Sequence, residues 1–342
     1  MRALALALVP LACGCSLFSV RGHRGPPSDH FDGRQFHNQV PYEEHGLLDL
    51  IGWMANRQTG PWRDHVDEPP GPPPPARVGP GELRVTFVNH STVLVQQDGV
   101  NVLTDPVYAD RVGPLSWAGS KRHRPPGIRF EDLPPIDLVL LSHNHYDHLD
   151  LPTLKRLVAR DRPRILAGLG NRHLLVAHGV GAAAAELDWW DSVEVRGLRV
   201  TAVPAAHWSN RGLADRRRTL WCGFVLEGAA GRTYFAGDTG YGPHFALVRE
   251  RLGAPRLALL PIGAFRPRWF MERHHLDPAD ALKAHRDLAA GTSVAIHFGT
   301  FSLADDGEHE PVETLQALLA GAADAPRFWA LGHGEGREVP AG

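Results

Sequence analysis

From residue 83 onward, apolar and polar positions alternate in short blocks. Residues 83–88 and 92–97 read as strands, and Asp98-Gly99 turns the second into a third at 100–103. Residues 136–141 read as a buried apolar strand, and 151–159 have helical spacing. Further strands fall at 165–167, 198–203, 222–226, 233–236, 257–260 and 293–296. Helices are predicted at 243–252, 278–288 and 311–319, each with proline near its first turn. Strand-rich halves with helices interspersed predict an α/β chain: two sheets packed face to face, helices outside.

The chain before this pattern is different. Residues 16–80 read as irregular and polar, and the proline run at 69–75 is a stiff extended spacer. The very N-terminus reads as an export signal. Arg2 is followed by a short apolar stretch, 3–12, too short to span a bilayer, ending in Leu11-Ala12-Cys13-Gly14-Cys15. That ending resembles a bacterial lipoprotein signal, with Cys15 favoured over Cys13 for lipidation. The expected organisation is a signal at 1–15, an irregular segment and linker at 16–80, and a catalytic domain at 81–338. The expected location is the cell envelope, anchored by lipid in the periplasm or at the outer membrane.

Composition narrows the partners. Lys+Arg number 36 against 38 Asp+Glu, which gives no basic excess for nucleic acid. Of three cysteines only Cys222 lies in the body of the chain, in an apolar run, so it reads as a small buried hydrophobe. Twenty histidines raise the prior on a metal site.

The strongest chemical signal follows the strand at 136–141: Ser142-His143-Asn144-His145-Tyr146-Asp147-His148. Alternate positions of an extended segment point the same way, so His143 and His145 can reach one ion. The turn after them can aim Asp147 and His148 at a second. One cluster cannot complete two coordination spheres. Further ligands stand just after apolar strands: His207, Asp238 and His297. Singly, each is as well read as a loop residue or a turn cap; the set changes the odds.

This kernel with its downstream partners resembles the metallo-β-lactamase superfamily. Longer stretches resemble its N-acylphosphatidylethanolamine-hydrolysing phospholipase D branch. These are Asn89-His90-Ser91-Thr92-Val93, Leu103-Thr104-Asp105-Pro106-Val107, 134–150, His207-Trp208-Ser209, Gly237-Asp238-Thr239-Gly240-Tyr241, Pro267-Arg268-Trp269-Phe270-Met271 and His297-Phe298-Gly299-Thr300-Phe301. Phe31-Asp32-Gly33-Arg34 resembles bacterial members more loosely.

The resemblance implies an αββα sandwich and two Zn2+ ions. His143, His145 and His207 would hold the first, Asp147, His148 and His297 the second, and Asp238 would bridge them. Two such ions about 3.5–4 Å apart share a water and bring its pKa toward neutrality. The implied substrate is a phospholipid phosphodiester met at a membrane surface; a homodimer is left open. Asp147 and Asp238 are candidates to orient the nucleophile. His275 aligns with a family histidine near the phosphate, against the plainer reading of a helix-entry residue. Tyr146 and Tyr241 flank ligands and read equally as packing. Asp105 is expected to support a ligand from behind, Asp137 to be structural, and Arg216-Arg217-Arg218 to be a solvated face or a contact for anionic head groups. The same ligands serve hydrolysis of an ester, lactone or β-lactam, so the metal set alone does not choose the substrate.

Overall fold

Successive side chains of a strand point to opposite faces, so a run apolar at every position needs cover on both sides. Leu138–Leu141 is such a run: Leu138 and Leu140 enter one buried cluster, Val139 and Leu141 another. In the computed structural model, which describes residues 19–41, 45–115 and 117–341, this strand lies within a seven-stranded sheet. The strands are β1 (Leu83–Asn89), β2 (Thr92–Gln97), β3 (Val100–Thr104), β4 (Arg111–Val112), β5 (Ser120–Lys121), β6 (Leu138–Leu141), β7 (Arg164–Gly168) and β8 (Ala184–Leu187). They continue as β9 (Ser192–Val195), β10 (Leu198–Val203), β11 (Gly223–Gly228), β12 (Gly231–Phe235), β13 (Leu257–Pro261), β14 (Thr292–Ile296), β15 (Phe328–Trp329) and β16 (Gly336–Glu338).

One sheet runs β16-β1-β2-β3-β6-β7-β8 and the other β15-β14-β13-β12-β11-β10-β9, with β4 and β5 paired apart. Each sheet is antiparallel on one side and parallel on the other, the change falling at β3/β6 and at β12/β13. Parallel neighbours need crossovers. The helix Leu151–Arg160 crosses from β6 to β7 and buries Leu151, Leu154 and Leu157 on the outer face. On the other sheet His244–Leu252, Pro278–Leu288 and Glu310–Ala320 do the same with Phe245, Leu282 and Leu315. Between the sheets Val85, Phe87, Val93 and Val102 meet Val200, Phe224, Leu226 and Phe235. The architecture is the expected αββα sandwich.

The tight turn at Asp98-Gly99 has φ of 52° and 79°, as a two-residue hairpin requires. Helix Pro278–Leu288 begins where Asp277 accepts the Asp280 N–H at 2.7 Å. Strand β6 starts at 138 rather than 136, because Asp137 is engaged by Arg77 and by the Asn101 N–H.

The segment before β1 is laid against the sandwich. Phe31 and Phe36 are buried in the main cluster. A helix at Leu47–Ala55, inside the stretch read as irregular, packs Trp53 against Phe270. Arg57 pairs with Asp305 and Arg63 with Glu308, and the proline-rich run docks through the Gly71 N–H to Gly127 O at 2.7 Å. The signal at 1–15, with Cys13 and Cys15, lies outside the described residues. Among the described residues, no helix is long and apolar enough to cross a membrane.

Candidate metal centre

Strands β1, β3, β6, β10, β12 and β14 end along one edge of the sandwich, and the residues just past them supply the site. His143 stands two residues past β6, His207 four past β10, Asp238 three past β12 and His297 one past β14. The strand ends thus bring these side chains to one edge.

The structure gathers His143, His145 and His207 in one group. His143 Nε2 lies 2.8 Å and His207 Nε2 3.3 Å from His145 Nδ1. Burial, with the neighbouring histidines, holds His143 well below the usual imidazole range; burial does the same for His207, against the pull of Asp238. Neutral nitrogens converging this closely suit a shared cation.

The second group is Asp147, His148, His297 and, in addition, His90. His148 Nε2 is 3.2 Å and His297 Nε2 3.5 Å from Asp147 Oδ2, and His90 Nε2 is 3.0 Å from the same oxygen. Asp238 stands between the groups: its Oδ2 is 3.1 Å from both His148 Nε2 and His297 Nε2, and 3.8 Å from His207 Nε2.

The charges fit metal binding. Burial opposes ionisation of Asp147 and Asp238, yet His148 and its neighbours hold both carboxyls well below the usual range. Conversely, burial disfavours charge on His148 and His297, but the carboxylates raise the first well above normal and the second to about 9. Two buried carboxylates ringed by imidazoles offer the negative charge that divalent cations would meet. Asp238 Oδ1, His145 Nε2 and His297 Nδ1 are buried without hydrogen-bond partners in the protein. The donor set, imidazole nitrogens with two carboxylates, suits zinc and related transition metals.

Behind these residues lies a supporting layer. Asp105, fully buried, faces His148 Nδ1 at 2.6 Å and accepts from Ser142 Oγ at 2.5 Å and Ser142 N at 2.8 Å. His207 Nδ1 donates to His274 O at 3.0 Å. These contacts place the proton on Nδ1 and leave Nε2 for the site.

The other candidates fall as follows. His275 is partly buried beside the centre, with Nδ1 3.9 Å from Asp238 Oδ2, and desolvation lowers its pKa to about 4. Tyr146 turns away from the centre: its hydroxyl donates to Arg211 O, and its ring lies 3.7 Å beneath the Arg211 guanidinium. Tyr241 donates to Asp287 at the surface. Asp137 ties Arg77 to β3, and Cys222 is buried, its thiol pushed up by desolvation. Arg216 lies over Trp208, whose ring is 4.5 Å from that of His145.

His90 was not singled out by its residue type. It follows an apolar strand just as His207 and His297 do, and that placement was the available signal. Its backbone oxygen accepts the His297 N–H at 2.8 Å, so it touches two members of the second group.

The Beta-lactamase superfamily domain matches residues 100–298. The chain is 39% identical over 254 residues to N-acyl-phosphatidylethanolamine-hydrolyzing phospholipase D 1 of Caenorhabditis elegans, covering 71% of each. It is 38% identical over 321 residues to an uncharacterized protein of Mycobacterium tuberculosis, covering 92% of this chain and 85% of the relative. Among solved structures, the metallo hydrolase Igni18 of Ignicoccus hospitalis superposes with a TM-score of 0.57 at 22% identity, over 76% of this chain and 99% of that one.

Proposed function

The chain belongs to the metallo-β-lactamase superfamily, in the branch of the N-acylphosphatidylethanolamine-hydrolysing phospholipases D, and is a metal-dependent hydrolase; from that premise we propose that it is a two-zinc phosphodiesterase releasing N-acylethanolamine and phosphatidic acid from N-acylphosphatidylethanolamine. The observation that carries this reading is the 39% identity to the worm phospholipase over 254 residues, 71% of each chain.

In this reading His143, His145 and His207 would hold one ion and Asp147, His148 and His297 the other, with Asp238 serving both. When bound, the ions supply Lewis acidity toward the phosphoryl oxygens and lower the pKa of a nearby water. The remaining work falls to the chain. Asp238, with Oδ1 buried and unpartnered, orients the attacking water. His275, with Nδ1 3.9 Å from Asp238 Oδ2, faces the same space and is placed to give a hydrogen bond to a phosphoryl oxygen or to the leaving oxygen. A bond forms from the water oxygen to phosphorus, the bond from phosphorus to the ethanolamine oxygen breaks, and the proton passes to the released N-acylethanolamine. Because the substrate is a membrane lipid, the reaction takes place at a bilayer surface, which accords with an exported, lipid-anchored protein.

Purified protein should be offered N-acylphosphatidylethanolamine, a chromogenic phosphodiester, a lactone and a cephalosporin, each with and without chelator. Release of N-acylethanolamine that chelation abolishes supports the proposal. Hydrolysis of only the lactone and the cephalosporin would replace it with carbonyl chemistry on the same scaffold. Undiminished turnover after thorough chelation would defeat the metal reading.

A further inference from the structure

The residue that sets the backbone of His207 does not come from the sandwich. It is Asn38, in the segment that precedes it and well before the matched superfamily domain at 100–298. Asn38 Oδ1 accepts the His207 N–H at 3.0 Å, and Asn38 Nδ2 donates to the His207 carbonyl at 2.9 Å. One side-chain amide thus pairs with the peptides on both sides of a single Cα, as a bridging strand would. The same Oδ1 also accepts the Trp221 Nε1–H at 3.0 Å, which fixes the amide's orientation.

The segment carrying Asn38 is anchored. His23 N donates to Arg218 O at 2.7 Å, Phe36 N to Arg217 O at 2.8 Å, and Gln35 Nε2 to Arg216 O at 2.9 Å. Phe36 is fully buried two residues before Asn38. The direction of the His207 side chain is therefore set twice: Asn38 fixes its Cα, and the bond from Nδ1 to His274 O fixes its ring.

We propose that Asn38 is a positioning residue for the metal centre, aiming His207 Nε2 at the ion shared with His143 and His145, so that the N-terminal segment completes the first metal site. This rests on the two-metal reading above. It gives the basic run 216–218 a definite role: its carbonyls are the rail on which the segment docks.

The test is metal affinity of the full-length protein. Metal-free wild type, Asn38→Ala and Gln35→Ala are titrated with zinc by calorimetry, and with cobalt(II) followed by its visible absorption. Melting of each metal-free protein is recorded alongside. Wild type is expected to take up two ions. Asn38→Ala should bind one of them about tenfold to a hundredfold more weakly, the usual consequence of losing a group that orients a ligand. The other ion should be unaffected, and the cobalt band of the weakened site should shift. Gln35→Ala removes a bond from the same segment without touching His207 and should bind both ions as wild type does.

Equal affinities in Asn38→Ala and wild type would overturn the positioning role while leaving the two-metal reading intact. Equal weakening in Gln35→Ala, or loss of both ions with a collapsed metal-free melt, would overturn it in favour of general docking of the segment. Wild type that binds no ion would defeat the metal reading and this inference with it.

Discussion

Replacing Asp105 by Asn tests the support behind the centre at almost constant volume. Asp105 has no exposed surface, and its two oxygens meet three donors: Ser142 N on Oδ1, Ser142 Oγ and His148 Nδ1 on Oδ2. An amide offers an oxygen on one side only. If the oxygen keeps Ser142 N–H, the new NH2 faces His148 Nδ1 and drives the imidazole proton to Nε2. That nitrogen is the one aimed at Asp238 and Asp147, and once protonated it cannot ligate a metal. If the amide flips, two N–H groups oppose each other at Ser142. Either arrangement forfeits one charge-assisted bond, about 1.5–3 kcal/mol. The part that reaches the metal corresponds to about a tenfold to hundredfold loss of affinity. Zinc titration of the metal-free variant should show that loss for one ion, beside a lowering of the metal-free melting temperature by about a few degrees from the lost bond. Two ions bound with wild-type affinity would refute the assignment of the His148 tautomer to Asp105.

Two further outcomes are expected. Asp238→Asn should abolish turnover without altering the circular dichroism spectrum, because both ions lose a ligand; near-normal rates would remove Asp238 from its bridging place. Glu308 bears on stability: burial opposes its charge, but bonds to Arg63 and Arg124 lower its carboxyl to about 2 from 4.5. The unfolded chain binds a proton first as pH falls, so this stabilisation is full above pH 4.5 and lost as pH drops toward 2. Its size is at most about 3 kcal/mol, less what solvent screens at the half-exposed Arg63. Urea midpoints of wild type and Glu308→Gln should differ at pH 7 and converge in acid; a gap of the same size at both would show that the charge is not the cause.

The sequence was most legible where burial is two-sided. Strands β2, β10 and β13 and helix Pro278–Leu288 stand within a residue of their expected bounds, because their patterns are long and their ends carry Asp-Gly, Asp or Pro signals. The elements not foreseen are short or edge-bound. Strand β8 is Ala-Ala-Glu-Leu, a composition with no strand preference, and it exists because β7 offers it a partner. The helix Leu47–Ala55 is half apolar outward, with Leu48 and Met54 exposed, so its pattern does not follow a core-facing stripe. The ligand candidates were legible because they stand in the loops just past strand ends, four of them within six residues of one another. Asn38 was not, since an amide that grips a backbone from far away in the chain leaves no spacing rule in the sequence.

Backbone strain follows the same map. His90, Asp105 and His297 have φ of 46°, 31° and 61°, the left-handed region that side chains other than glycine's enter at a cost of about 1–3 kcal/mol. They stand at the ends of β1, β3 and β14, where an ordinary strand end would continue extended and carry the side chain away from the edge. Each is held there by bonds from neighbouring elements: His90 N to Thr300 Oγ1, Asp105 N to Leu140 O, and His297 N to His90 O. Two of these bonds link β1, β14 and the loop after it, and the third links β3 to β6. The residues that hold the strained turns thus belong to both sheets, and the turns depend on the sandwich being closed. A change that loosens the packing between the sheets should therefore reach the metal centre first through His90 and His297, before it melts the strands themselves.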